Sequence, residues 1–127
     1  MRVTSNGVLV GDQDQALRFY TEVLSFVKKQ DIPMGKYRWL TLVSPEGPDD
    51  IELTLEPNSH PAAKAYQTAL YGDGIPLTSF VATNVQAEYE RLTERGVAFR
   101  TTPTQAEPMT ITVFEDTCGN LIQLHQI

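Results

Sequence analysis

Two histidines, one cysteine and two short runs of alternating polar residues hold most of the chemistry available to this 127-residue sequence. In Ile51-Glu52-Leu53-Thr54-Leu55-Glu56 the polar side chains Glu52, Thr54 and Glu56 fall on one face of an extended segment and the aliphatic ones on the other. A carboxylate facing an apolar cavity must be paired, hydrogen-bonded or protonated. Where that face lines a cavity, Glu52 reads as a polar anchor for a ligand or as a general base with a raised pKa, with the anchor preferred; the plain alternative is an exposed strand carboxylate. Gln123 and His125 share one face of the second run, Ile122-Gln123-Leu124-His125. In Tyr37-Arg38-Trp39, alternation sets Arg38 opposite Tyr37 and Trp39 without fixing which set faces a pocket; Trp39 is taken as a pocket wall, with core packing an even alternative. The remaining candidates are weaker. His60, just before Pro61, reads as the start of a helix, and Cys118 has no histidine or basic cluster beside it to lower its pKa. Gly7 and Gly11 lack the spacing of a phosphate loop. The mixed charges from Glu88 to Arg95 are a solvated helix face.

Composition narrows the function classes. A 41% hydrophobic and 20% charged chain of this length forms one compact domain, 1–127. Ten Lys and Arg against sixteen Asp and Glu give a net charge of −6, so no positive field gathers phosphates and nucleic acid is not an expected partner. A single cysteine forms no internal disulfide and fits a reducing compartment. No run of about 18 apolar residues could span a membrane, and the N-terminus carries no apolar signal core, so a cytoplasmic location is expected.

The elements that must position these residues come in two similar sets. Val8 and Val10 mark a first strand ending at Gly11-Asp12, and Ala16, Phe19, Tyr20, Val23 and Leu24 then recur at helical spacing, with Asp12 and Gln15 as a capping pair. Phe26–Lys29, Tyr37–Val43 and Ile51–Glu56 read as three strands between Pro- and Gly-containing turns. The order then repeats: a strand over Leu77–Ala82, a helix over Val85–Arg95 capped by Thr83 and Gln86 and stopped at Gly96, and strands over Ala98–Arg100, Ile111–Phe114 and Leu121–Gln126. Ile51-Glu52-Leu53 and Ile122-Gln123-Leu124 lie 71 residues apart, and the same shift carries Ser25 onto Gly96, with the helix side chains slipping slightly. The reading is an α+β chain of two tandem βαβββ modules, 1–56 and 77–127, joined by a helical linker over 57–76.

Two such modules, with Asp12, Ala16, Phe19, Tyr20 and Leu24 after the first strand and Phe114, Asp116, Gly119, Asn120, Ile122 and Leu124 near the end, resemble the vicinal oxygen chelate superfamily. That superfamily comprises glyoxalase I, the bleomycin-resistance proteins and the extradiol dioxygenases. Ser25 stands where relatives usually carry Gly, and Thr117-Cys118 replaces the common Pro-Asp. The resemblance implies a curved, partly open mixed sheet with helices on its convex face, a ligand cavity on the concave face and assembly as a homodimer. It also implies that Ser5, Gly7 and Leu9, and then Leu77, Ser79 and Val81, point inward.

Metal-dependent members of that superfamily hold a divalent cation through one residue on each of four strands. Carried over, those positions are Ser5, Glu52, Leu77 and Gln123. Only Glu52 is a strong ligand, whereas such sites use about three good donors, so no cofactor is expected. A displaced cation on Glu52, Gln123 and His125 would be thinly held. The expected pocket comprises Ser5, Trp39, Glu52, Leu77, Gln123 and His125. The leading expectation is a metal-free binder of a small organic ligand. The competing one is a lyase, isomerase or dioxygenase-like enzyme using Glu52 as its base. A sensing or interaction module without turnover is a third.

Overall fold

The computed structural model describes residues 1–127. Two compact units divide the chain, Met1–Ala65 and Tyr66–Ile127, with the boundary inside one helix. The elements, in chain order, are β1 (Ser5–Val10), α1 (Gln13–Arg18) prolonged by a π-helical turn over Phe19–Val23, β2 (Val27–Met34), β3 (Tyr37–Val43), β4 (Glu52–Pro57), α2 (Pro61–Gly72), β5 (Thr78–Val81), α3 (Val85–Glu94), β6 (Thr104–Ala106), β7 (Met109–Glu115) and β8 (Leu121–Gln126). Each unit holds an open four-stranded mixed sheet, ordered β1-β4-β3-β2 in the first and β5-β8-β7-β6 in the second. The first strand of each unit pairs in parallel with the last, and the other pairs are antiparallel. This is the tandem βαβββ arrangement expected from the sequence.

In the first unit, Val8, Val10, Leu40, Leu42, Leu53 and Leu55 meet Ala16, Phe19 and Tyr20 of the helix, all buried. Each fully buried aliphatic side chain contributes roughly 1.5–3 kcal/mol. Tyr20 is ringed edge-on by Phe19 and Phe26 at 5.5 and 6.1 Å. Asp12 caps the helix by accepting the backbone N–H of Gln15 at 3.1 Å, as the spacing predicts. Gln13, which the sequence reading passed over, is buried and stitches α1 to two strands. Its Nε2 donates to the carbonyls of Arg38 and Leu55, and its Oε1 accepts from the Arg38 N–H.

The second unit packs Val85, Leu92 and Val97 against Phe114, Ile122 and Leu124. Its helix is capped by Asn84, whose side chain accepts from the Ala87 N–H at 3.0 Å, not by the expected Thr83; Gln86 instead donates to Glu90. Asn is the stronger cap, and one more extended residue moves the helix start accordingly. The Asp116 carboxylate, fully buried, ties the β7–β8 turn by accepting from the N–H groups of Cys118 and Asn120 and from the Asn120 amide. The Asp-x-x-Gly-Asn motif is thus structural: it closes a turn in which Thr117 and Gly119 both adopt positive φ.

Several strand bounds change, among them β5, which is shorter than Leu77–Ala82, and β7, which is longer than Ile111–Phe114. β2 runs on through Pro33 and Met34 to a turn at Gly35, because Pro33 sits on an edge strand where a missing donor is tolerated. Ile51 lies outside β4 and is exposed. Ala98–Arg100 forms only one bridge, Phe99 to Phe114, and the third strand of that unit is β6. There Thr101 and Thr112 interrupt the ladder with side-chain bonds to backbone groups.

Candidate functional site

The face of the first sheet opposite α1 carries the candidate site. Register places Ile32 beside Trp39, Met34 beside Tyr37, Gln30 beside Thr41, and Thr41 beside Thr54, all on this face, while Arg38, Leu40 and Leu42 point the other way. Trp39 therefore shares the face of Glu52, which settles the alternation that the sequence left open. Ile32, Met34, Tyr37 and Trp39 remain 37–61% exposed here. Four large apolar side chains together on one sheet face form a patch of the kind that takes a ligand or a partner. Arg38, on the opposite face, is held by ion pairs to Asp14 and Asp31.

Glu52 sits at the polar edge of this patch. Its Oε1 accepts from Gln30 Nε2 at 2.5 Å and from Thr41 Oγ1 at 2.6 Å, and Lys29 Nζ lies 3.8 Å from Oε2. The Thr41 hydroxyl first, then the Gln30 amide and the Lys29 charge, hold the Glu52 carboxyl below its ordinary value, outweighing the effect of burial. That direction is opposite to the raised pKa of a general base, one of the two roles read for Glu52, and suits the other, a hydrogen-bonded anchor. Ser5 pairs directly with Glu52 across β1 and β4, and its hydroxyl lies 2.9 Å from Thr54 Oγ1. Beside it, the Glu56 carboxyl crosses Gly7 so closely that a Cβ there would stand 2.8 Å from Glu56 Cδ.

The second unit repeats the pattern with different chemistry. Ser79, not Leu77, stands opposite Gln123 as Ser5 stands opposite Glu52, so the position carried over to Leu77 moves two residues along the chain. Leu77 lies outside β5 and gives its N–H to the Leu121 carbonyl. The Ser79 hydroxyl is 2.7 Å from His125 Nδ1 and accepts from Gln123 Nε2 at 3.3 Å. Ser79, Gln123 and His125 are thus one hydrogen-bonded set, as Ser5 and Thr54 are beside Glu52 in the first unit. His60 Nδ1 accepts the Ala62 N–H at 3.0 Å, the helix-starting role expected of it.

Within either unit, no three His, Cys, Asp or Glu side chains converge as metal ligands would. The donors also fit a divalent cation poorly. One oxygen of Glu52 already takes two hydrogen bonds and the other faces an ammonium group, while Gln123 turns an amide N–H toward Ser79. Sequence reasoning missed Gln30, Thr41 and Lys29 around Glu52. Thr41 was legible two residues beyond Trp39, but the convergence of Lys29 and Gln30 depends on a register shift between Lys28 and Gln30 that no alternation rule anticipates.

No helix is long and apolar enough to cross a membrane. Comparison with known proteins agrees with this architecture. The chain is 56% identical over 126 residues to the uncharacterized protein YurT of Bacillus subtilis (strain 168), covering 99% of each. Among solved structures it resembles UcmS2 at 31% identity and a TM-score of 0.84, covering 98% of this chain and 97% of that one. It also resembles TnmS3, an antibiotic binding protein from Streptomyces sp. CB03234, at 29% identity and a TM-score of 0.78, covering 99% and 95%. The model of the Glyoxalase/Bleomycin resistance protein/Dioxygenase superfamily matches residues 2–124, and with its two βαβββ units the chain belongs to that superfamily.

Proposed function

We propose that this protein binds a small organic molecule with a flat apolar body on the β1–β4 sheet face that carries Trp39 and Glu52, without a divalent cation and as a homodimer. The observation behind this reading is the side-by-side placement of a half-exposed apolar patch and an ionised carboxylate locked by Thr41 and Gln30. The patch offers stacking area and the carboxylate a fixed acceptor, the usual division of labour in a small-molecule site. The likeness to an antibiotic binding protein supports the same class of ligand. Glu52, kept below its ordinary pKa, is suited to anchoring a donor and poorly suited to abstracting a proton.

The chain has one tryptophan, so its intrinsic emission reports on the site directly. Titration with ethidium, a planar aromatic cation, is expected to quench Trp39 saturably, and Trp39→Ala and Glu52→Gln are expected to weaken dye binding. Saturable binding that both substitutions leave unchanged would overturn the assignment, as would no saturable binding at all. Sedimentation or light scattering is expected to give twice the chain mass, and a monomer would overturn the dimer.

A further inference from the structure

We infer that Lys29 is a tethered stand-in for the cationic group of the ligand and thereby sets the charge preference of the site. The inference rests on the ligand-binding reading above and commits it to organic bases with a flat apolar body. In a regular strand Lys29 and Gln30 would point to opposite faces. The register shift between Lys28 and Gln30 instead lets two consecutive side chains serve one carboxylate, Gln30 at Oε1 and Lys29 at Oε2. Such bulges re-aim side chains at functional places in sheets.

The two oxygens of Glu52 are then unequal. Oε1 accepts from both Gln30 and Thr41. Oε2 faces only the Lys29 ammonium, and 3.8 Å is too long for a hydrogen bond. Lys29 Nζ gives its hydrogen bond to the Asp49 carbonyl instead. Lys29 thus neutralises Oε2 without saturating it, and its side chain is 38% exposed, so water can replace its bond to the Asp49 carbonyl when it withdraws. An ammonium or amidinium group on a guest whose body lies along Trp39 and Ile32 takes Oε2 as Lys29 leaves. Cation is exchanged for cation, so the net electrostatic gain is small, and the protein holds such guests less tightly than a bare carboxylate would.

Lys28 supplies the control. It pairs with Leu42 in register and with Asp31 at 3.3 Å, on the face opposite Glu52, so removing either lysine changes the net charge equally but only Lys29 touches the site. Ethidium affinity is to be measured for the wild type, Lys29→Met and Lys28→Met, with the anionic dye 8-anilinonaphthalene-1-sulfonate as counter-probe. Lys29→Met is expected to bind ethidium roughly three- to fivefold tighter at low salt, the scale of an exposed ion pair, and the naphthalene sulfonate more weakly. Lys28→Met is expected to stay within about twofold of wild type, and the Lys29 effect to shrink at about 0.5 M salt. Equal shifts in both variants would reduce the effect to net charge and overturn the inference, as would no tightening in Lys29→Met, while the ligand site itself stood. Absence of any Trp39-dependent ethidium binding would overturn the ligand site and the inference together.

Discussion

Ser25 and Gly96 close α1 with its π-helical turn and α3 in the same left-handed conformation, at φ 69° and 87°. Thirteen residues separate Asp12 from Ser25, but only twelve separate Asn84 from Gly96. The π-helical turn over Phe19–Val23 absorbs the extra one. Accordingly Phe26 N–H reaches back to the Tyr20 carbonyl, whereas Val97 N–H reaches Leu92, one residue nearer.

A β-carbon in this conformation costs about 1–2 kcal/mol, partly offset by the larger unfolded-state entropy of glycine. Ser25→Gly is therefore expected to raise stability by about 0.5–1 kcal/mol in urea unfolding, and Gly96→Ala to lower it by about 1 kcal/mol. Loss of stability in Ser25→Gly would mean that the serine side chain outweighs the strain.

The same corner shows what the sequence could and could not reveal. Apolar spacing exposes α1 and α3, and the Ile-x-Leu repeat exposes the internal symmetry, because burial demands both. The slip between the two helices is visible in sequence but not its cause, since a π turn leaves no residue signature. Likewise Glu52 and Trp39 are legible as a strand carboxylate and an aromatic. Their common face is not, because alternation gives two sets of side chains without saying which set the helix covers. The resemblance carries a ligand position onto Leu77, whereas Ser79 holds the register opposite Gln123, two residues along the chain, where the chemistry offered is a hydroxyl.

The Glu52 carboxyl should titrate below its ordinary value of 4.5, chiefly because Thr41 donates to it. A depressed folded-state pKa contributes stability that is present above the unfolded value and lost as pH falls through the folded one. Acidification below about pH 4.5 is thus expected to weaken the wild type, and Glu52→Gln to flatten that part of the pH–stability profile. Thr41→Val should move the Glu52 midpoint upward when followed by carboxyl-carbon NMR. A midpoint at or above the ordinary value in the wild type would contradict the hydrogen-bonded anchor.

The Asp116 turn should be worth far more than a typical loop. Its buried carboxylate accepts two backbone N–H groups and the Asn120 amide, and Gln67 on α2 donates to the Cys118 carbonyl and Asn120 Oδ1. Hydrogen bonds to an ionised acceptor contribute about 1.5–3 kcal/mol each, not additively. Asp116→Ala is expected to lose about 3 kcal/mol or more in thermal or urea unfolding, and Gln67→Leu about 1–3 kcal/mol. A surface-like change of a few tenths for Asp116→Ala would show that the motif is not what holds the hairpin.

Metal retention tests the remaining link between site and chemistry. Glu52, the β4 residue that the resemblance carries over as a ligand, is a carboxylate, but its neighbours are Thr41, Gln30 and Lys29, of which two donate to it and one brings positive charge. A divalent cation at Glu52 would find Oε1 already taking two hydrogen bonds and an ammonium group beside Oε2, with Ser5 the residue directly opposite. Elemental analysis after incubation with nickel, zinc, manganese or iron(II) is expected to find well below one ion per chain after desalting, with no dependence on Glu52. Removing the repulsion in Lys29→Met leaves a lone carboxylate, still short of the roughly three donors a retained ion needs, so that variant should also emerge metal-free. Near one ion per chain in the wild type, lost in Glu52→Ala, would refute the metal-free site and turn attention to metal-assisted chemistry.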